Sequence, residues 1–189
     1  MAYIATKKIK ISQQLFMQTA PPLIVTLTLD KVSHDFFTKL RNTHYPKHCN
    51  FLEAHLTLFH RLPADISLID DVLKKAAARA IISMEVSGIT NIVSGVFYNV
   101  ESDDLLALHK KLQQAFKPWL ITKDRKKLWP HITIQNKVTV YKAAKTTALL
   151  LPDFKPFTLQ GTGFTVWQYC KGPWKPVQHF PFNSCNEEF

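Results

Sequence analysis

The sequence predicts an α+β fold of two pseudo-symmetric lobes, each of β-α-β-α-β type, with antiparallel-rich sheets around a central cleft and helices on the outer faces. Two observations support this prediction. The segments HLTL, at 55–58, and HITI, at 131–134, share the pattern His-aliphatic-Thr-aliphatic and lie 76 positions apart. Gly88 and Gly163, in the similar segments VSGIT and GTGFT, lie 75 positions apart. A nearly common offset for two motifs indicates an internal duplication.

The first repeat reads as strand, helix, strand, helix, strand. The segment 23–30, LIVTLTLD, is rich in β-branched residues and predicts a buried strand. Apolar residues at helical spacing predict a helix after it, which Pro46 limits, and a second helix at 65–81. The segments AHLTLF and SMEVSGIT predict the second and third strands.

The second repeat follows the same order. A strand is predicted at 94–101, and Ser102 is the expected N-cap of the helix that follows. The segment HITIQN predicts the next strand, and 138–151 predicts a helix that Pro152 stops. The segment TLQGTGFTVWQY predicts the last strand of the repeat, and a hairpin at 171–182 closes the chain.

These elements divide the chain into one bilobal domain with short ends. An N-terminal extension covers 1–20, the first lobe with its HLTL motif covers 21–92, and a tail covers 183–189. The second lobe, at 93–182, carries the HITI motif and the hairpin. The lobes are expected to be related by a pseudo-twofold axis, with equivalent strands facing a shared cleft.

Composition is that of a globular protein, with 46% apolar and 20% charged residues. No apolar run is long enough to cross a membrane, and no signal-peptide pattern is found at the N-terminus, so a cytoplasmic protein without a membrane partner is expected. The net charge of +10 favours a phosphate-bearing partner, although a basic surface with no partner is also common. The lysines are dispersed except at 122–127, TKDRKK.

Metal and cofactor sites are not predicted. Three cysteines without a CxxC pattern, Cys49, Cys170 and Cys185, indicate neither a disulfide framework nor a zinc site. His44 and His48 precede Cys49, but Pro46 breaks the helix that would align them. A Gly-rich phosphate loop of the Walker or Rossmann type is not found in the sequence.

The pattern His-x-Thr on a strand directs both polar side chains to one face. His55 and Thr57 therefore face together, as do His131 and Thr133, while the aliphatic residues between them pack under helices. Two imidazoles across a cleft can serve as general base and general acid, and threonine hydroxyls can donate to phosphate oxygens. A single copy of the pattern has little specificity, but two copies at matching places of a repeat favour an active site.

Four other residues are candidates for the cleft. Phe59 and Gln135 continue the inward faces of their strands, and Phe59 could stack on a base or pack at the rim. Lys171 and Trp174 surround a predicted Gly-Pro turn, where Lys171 could meet a phosphate and Trp174 a base. A structural role is favoured for Trp174, because the hairpin must also pack. The remaining histidines have no evident partner and are interpreted as surface or structural residues; they are His34, His60, His109 and His179.

The paired HLTL and HITI motifs, each on the second strand of a repeated lobe, resemble the 2H phosphoesterase superfamily and its bacterial 2′-5′ RNA ligase-like members. The resemblance covers residues 21–182, including QNK after the second motif and the closing hairpin. It implies that His55 and His131 are the catalytic pair and that Thr57 and Thr133 bind phosphate. It also implies a metal-independent reaction on 2′,3′-cyclic phosphate or RNA ends, without a cofactor.

Two functions follow from this sequence. The first is a phosphodiesterase that acts on cyclic phosphate ends of nucleotides or RNA, with reversible 2′-5′ ligation as the reverse direction. The alternative is a non-catalytic RNA- or nucleotide-binding module that uses the same basic cleft. A monomer is expected, because the duplication already supplies both sides of the site.

Overall fold

A seven-stranded antiparallel sheet lies at the centre of the computed structural model, which describes residues 20–183. The mixed α+β class predicted from the sequence is confirmed, although the two lobes share one continuous sheet. The elements are β1 (Leu23–Leu29), α1 (Lys31–His44), β2 (Leu56–Leu62), α2 (Ser67–Ala77), β3 (Ile82–Ile92), β4 (Gly95–Glu101), α3 (Asp103–Ala115), β5 (His131–Gln135), α4 (Val140–Leu150), β6 (Phe157–Tyr169) and β7 (Trp174–Pro181).

Helices α1, α3 and α4 each begin after a polar residue whose side chain caps the helix. The predicted N-cap Ser102 is confirmed, since its hydroxyl accepts a hydrogen bond from the backbone N–H of Leu105. Asp30 caps α1 and Thr139 caps α4 in the same way. Helix α2 is shorter than the predicted 65–81, because the chain leaves the helical conformation at Ala78 and enters β3 four residues later.

The third strand of each repeat joins the two halves of the sheet. The strand order is β2-β1-β6-β3-β4-β5, and β7 pairs with β6. Strand β3, from the first repeat, pairs with β4 of the second, while β6 pairs with β1 of the first. The two exchanged strands also pair with each other, from Ile82↔Gly161 to Val86↔Phe157. The predicted boundary at residues 92 and 93 falls in the β3–β4 connection and stays a prediction.

The first helix of each repeat packs against the motif strand of the other repeat. Helix α1 contacts β5, and Arg41 Nη1 donates to the carbonyl oxygen of Thr133 at 3.0 Å. Helix α3 contacts β2, where His109 Nε2 lies 3.0 Å from the carbonyl oxygen of Leu58. The ring of His109 also stacks on Phe59, with centroids 4.7 Å apart. Each motif strand is therefore held by residues from both repeats.

One hydrophobic cluster runs through both repeats. The aliphatic residues of the two motifs are at most 2% exposed, as the strand alternation predicts; they are Leu56, Leu58, Ile132 and Ile134. They belong to the same cluster as the fully buried helix residues Phe37, Ile69 and Leu105. Burial of each such side chain stabilises the fold by roughly 1.5–3 kcal/mol.

Within residues 20–183, no helix is both long and apolar enough to cross a membrane. Cys49 and Cys170 are free thiols, and Cys185 lies outside the described residues. The N-terminal extension before residue 20 and the tail after residue 183 also lie outside them.

Candidate active site

The two motifs have matching backbone geometry. Thr57 pairs with Thr26 on β1, and Thr133 pairs with Phe97 on β4. Along both HLTLF and HITIQ the first and third side chains are partly exposed and the other three are buried. The predicted common face of each His-x-Thr pair is therefore present in both repeats.

Each motif strand contains a bulge directly after its threonine. Between Thr57 and Phe59, β2 advances two residues while β1 advances one, from Thr26 to Val25. Between Thr133 and Gln135, β5 does the same against Phe97 and Val96. A bulge places two successive side chains on one side, so the alternation predicted from the sequence fails beyond the motif.

The bulges correct the prediction that Phe59 and Gln135 face the cleft. Phe59 is 0% exposed and packs between His109 and Phe116 in the core, so it cannot stack on a ligand. Gln135 is 5% exposed and donates from Nε2 to Thr146 Oγ1 and to the carbonyl oxygen of His44. Both side chains stabilise the strands that carry the motifs.

The imidazole Nδ1 atoms of the two motif histidines have equivalent partners. His55 Nδ1 lies 2.8 Å from the carbonyl oxygen of Glu53, and His131 Nδ1 lies 2.7 Å from that of Trp129. A carbonyl oxygen only accepts hydrogen bonds, so each Nδ1 carries a proton. In the neutral ring Nε2 is then the basic nitrogen, and it is available to take or return a proton.

Burial keeps both rings neutral at pH 7. Desolvation lowers the pKa of His55 to about 4, and the charge of Arg41 adds to this effect, whereas the hydrogen bond to the Glu53 carbonyl opposes it. Desolvation also lowers the pKa of His131, and the nearby charges of His60 and Lys123 contribute in the same direction. Each imidazole is therefore a proton acceptor in the free protein.

Aromatic rings flank both imidazoles. The ring of Trp129 stacks on His131 at 4.3 Å between centroids, and Phe97 meets the same imidazole edge to face at 5.3 Å. The ring of Trp174, from β7, lies 4.8 Å from His55. This contact lies beside the first motif, and a role of Trp174 toward a substrate stays a prediction.

Lys171 lies at the tip of the β6–β7 hairpin. Its side chain is exposed, and its backbone φ of 59° puts Lys171, and not the following glycine, in the left-handed conformation. The backbone N–H of Cys170 donates to the carbonyl oxygen of Pro173, which closes the predicted Gly-Pro turn. A phosphate contact by Lys171 stays a prediction.

The motifs come together although their strands lie at opposite ends of the sheet order. Strands β2 and β5 are in contact, and Thr57, His60 and His131 line one cavity of about 290 Å³. A larger cavity, of about 900 Å³, lies between α3 and the segment after it and includes neither motif. The chemistry of the site therefore identifies it better than cavity size does.

Three contributors to the site were not predicted. Asp124 binds His60 at the edge of the cleft, and Arg41 connects α1 to Thr133. Asn99 is the cross-strand neighbour of His131; its Nδ2 donates to Thr90, and its Oδ1 is buried without a partner in residues 20–183. Asp124 is the only acid in the basic run 122–127, a signal that could have indicated a buried partner.

His44, His48 and Cys49, the one arrangement that resembles a metal site in the sequence, are not grouped as metal ligands in the described residues. Across residues 20–183, no group of three or more His, Cys, Asp or Glu side chains is positioned to hold a metal ion. The residues present in the cleft are imidazoles, hydroxyls and ammonium groups, which suit anion binding and proton transfer.

A duplicated α+β fold that brings two His-x-Thr strands to one cleft is the architecture of the 2H phosphoesterases. The family model of the 2′-5′ RNA ligase superfamily matches residues 29–173, and the chain belongs to that family. None of the curated proteins matches the chain.

Solved structures share the fold at low sequence identity. TT0787 of Thermus thermophilus is 18% identical with a TM-score of 0.61, over 87% of this chain and 100% of that one. E. coli LigT complexed with 3′-AMP is 15% identical with a TM-score of 0.55, over 87% and 99% of the two chains. E. coli LigT complexed with ATP is 16% identical with a TM-score of 0.56, over the same shares.

Proposed function

We propose that this protein is a metal-independent phosphodiesterase that opens 2′,3′-cyclic phosphates at the ends of nucleotides or RNA. The observation that carries the proposal is the equivalent state of His55 and His131. Both have Nδ1 bound to a main-chain carbonyl and Nε2 left for proton transfer. His55 and His131 are the proposed catalytic residues, and Thr57 and Thr133 are proposed to donate hydrogen bonds to the phosphate oxygens.

The reaction needs one neutral imidazole, which accepts a proton, and one protonated imidazole, which donates a proton. The neutral ring accepts a proton from water through Nε2 as the water oxygen bonds to phosphorus. The bond from phosphorus to one ribose oxygen breaks, and the protonated ring gives its proton to that oxygen. The products are a ribose phosphomonoester and a free hydroxyl. The negative charge of the cyclic phosphodiester between the rings favours protonation of one of them, which offsets the effect of burial on its pKa.

Ligation uses the same groups. With a ribose hydroxyl in place of water, the neutral ring accepts the hydroxyl proton as its oxygen bonds to phosphorus, and the protonated ring gives its proton to the ribose oxygen that leaves, so a phosphodiester forms. Reversible 2′-5′ RNA ligation is therefore a second proposed activity of the same site, and it uses no nucleotide cofactor.

We further expect a cytoplasmic monomer. LigT has been solved with 3′-AMP and with ATP, which supports a nucleotide-like ligand.

Turnover of nucleoside 2′,3′-cyclic phosphates in excess EDTA tests this proposal. We expect wild type to release a phosphomonoester, and His55→Ala and His131→Ala each to lower the rate by about 10²–10⁴. His48→Ala is the matched control, since His48 is exposed on another part of the chain. Circular dichroism establishes that each variant is folded.

Full activity in either motif variant would contradict the paired acid–base mechanism. Tight binding of 3′-AMP without turnover of any cyclic phosphate would instead support the non-catalytic nucleotide-binding module.

A further inference from the structure

A third histidine lies on the cleft side of β2. The bulge at Leu58 and Phe59 turns both of these side chains into the core, so His60 returns to the side that Thr57 occupies. His60 lines the cavity that Thr57 and His131 also line. The proposed reaction assigns no role to His60.

A buried carboxylate holds His60 in place. Asp124 has a side chain that is 1% exposed, and its Oδ1 lies 2.8 Å from His60 Nδ1. Both Asp124 oxygens also accept from the backbone N–H of His60 at 3.0 Å, and Oδ2 accepts from that of Arg61 at 3.0 Å. Burial alone would raise the pKa of Asp124, but these hydrogen bonds outweigh it and lower that pKa. The carboxylate is therefore ionised and fixes the orientation of the His60 ring.

The carboxylate of Asp124 also fixes the basic segment 122–127, which follows α3. Gln113 Nε2 donates to the carbonyl oxygens of Asp124 and Lys126, both at 2.8 Å, and ties the segment to α3. The segment is thus anchored to β2 through Asp124 and to α3 through Gln113. These hydrogen bonds hold the segment beside the cleft.

Three lysines of this segment line the cavity beside His60. Lys123, Lys126 and Lys127 are exposed, and none of their ammonium groups forms an ion pair with a carboxylate of residues 20–183. The acid next to them, Asp124, is already hydrogen-bonded to His60. The cavity therefore carries several positive charges with no protein counter-ion in the described part of the chain.

We propose that the side of this cavity formed by His60, Lys123, Lys126 and Lys127 is a second phosphate subsite, next to the motif residues Thr57 and His131 that line its other side. The proposal rests on the proposed function and extends it. A ligand that fills both subsites carries a phosphodiester beside its terminal phosphate, as the end of an oligonucleotide does. Lysine suits this neighbouring phosphate, because its ammonium group is a charged donor without acceptor atoms.

Binding of a dinucleotide, measured by calorimetry, tests the subsite without relying on turnover. The probes are 3′-AMP and the dinucleotide ApA with a 3′-terminal phosphate. We expect wild type to bind the dinucleotide about tenfold or more tighter, since one charge-assisted phosphate contact contributes on the order of 1.5–3 kcal/mol. The triple variant Lys123→Gln, Lys126→Gln, Lys127→Gln should lose this preference and bind 3′-AMP within about threefold of wild type.

Salt dependence gives a second readout. The slope of log K against log salt for the dinucleotide should fall by about 0.7 for each phosphate contact that a variant removes. His60→Gln should lower the dinucleotide affinity severalfold and leave 3′-AMP nearly unchanged. The matched control is Lys142→Gln, Lys145→Gln, Lys155→Gln, which removes three lysines elsewhere and keeps the same net charge as the test variant.

Equal affinity of wild type for the two probes would overturn the subsite. An equal loss in the control triple variant would also overturn it, because the effect would then be general charge. The proposed function fails separately: a protein that prefers the dinucleotide but opens no cyclic phosphate keeps the subsite and loses the phosphodiesterase. Thermal melts of each variant establish that binding is measured on folded protein.

Discussion

The two motif histidines differ from surface histidines in the ring nitrogen that carries the proton and in their pKa, both of which the fold determines. His55 and His131 are each fixed through Nδ1 and each have a pKa lowered by desolvation. The hydrogen bond determines which nitrogen is basic, and burial determines that the ring is neutral. Neither property can be assigned from the letters HLTL and HITI alone.

The lowered pKa of His55 predicts a pH-dependent contribution to stability. The unfolded chain binds a proton at His55 below the ordinary histidine pKa of 6.5, whereas the folded protein does so only near pH 4. The stability linked to His55 is therefore fully present above pH 6.5 and is lost as pH falls toward 4. We expect wild type to lose on the order of 1 kcal/mol more than His55→Gln between pH 7 and 5, measured by urea unfolding.

A parallel loss of stability in the two proteins over this range would contradict that assignment. His48→Gln provides the control, since His48 is exposed and should follow the wild-type curve.

Arg41 is a buried cation that positions both motifs. It is 4% exposed and donates to Asn50 Oδ1 and to the carbonyl oxygens of Leu52 and Thr133. Its guanidinium also lies 4.0 Å over the ring of Tyr45. Arg41 thus connects the segment before β2 to β5, and burial lowers its pKa.

Arg41→Met should destabilise the protein by about 3 kcal/mol or more, because it leaves three partly buried acceptors without their donor. Arg41→Lys should be less destabilising, since it keeps the charge but not the planar donor set. Urea unfolding measures both, and Lys39→Met, at an exposed position of α1, is the control. A loss under about 0.5 kcal/mol in Arg41→Met, as for an ordinary surface change, would contradict the positioning role.

At the scale of elements, the β3–β4 turn contains a strained residue. Val93 has a φ of 38° and is 70% exposed. A β-branched side chain is rarely found at positive φ, where the conformation costs roughly 1–2 kcal/mol. A Cβ atom added at Gly95, two residues later, would lie 2.7 Å from the carbonyl oxygen of Gln135 and 2.9 Å from the ring of Phe97, so this position cannot accept a side chain without movement.

Val93→Asn should therefore raise the free energy of unfolding by about 0.5–1 kcal/mol, because asparagine tolerates the left-handed region and the valine buries little surface. Thermal denaturation measures the change, and Val177→Asn, on the exposed edge strand β7, is the control. An unchanged or lower melting temperature for Val93→Asn would show that this turn stores no strain.

The whole molecule is held together across its two repeats. Each motif strand packs under a helix of the other repeat, and the third strands are exchanged and paired. One hydrophobic cluster includes residues from both repeats. The repeats therefore share their stabilising contacts.

We expect a single cooperative unfolding transition. Tryptophan fluorescence reports on the region around residues 119–174, and far-UV circular dichroism reports on the whole fold, so the two curves should coincide. Phe37→Ala removes a fully buried ring and should lower both midpoints together, at a cost of about 3–5 kcal/mol. Two separate transitions would indicate that each repeat folds independently.

The sequence predicts the fold well where the pattern is local. The strand alternation of His-x-Thr and the N-cap at Ser102 are both found in the structure, because each depends on neighbours within a few residues. The prediction fails at Phe59 and Gln135, where a bulge changes the side that each residue faces. A bulge is determined by pairing with another strand, which no local pattern records.

The sequence by itself determined the duplication, the α+β class and the two His-x-Thr pairs, because repeated motifs and hydrophobic periodicity depend only on the order of residues along the chain. The tertiary structure decided how β3 and β6 are exchanged, that His60 returns to the cleft and that Asp124, 64 positions away, binds it. These features depend on contacts between distant segments, whose free energy is gained only when the whole sheet forms.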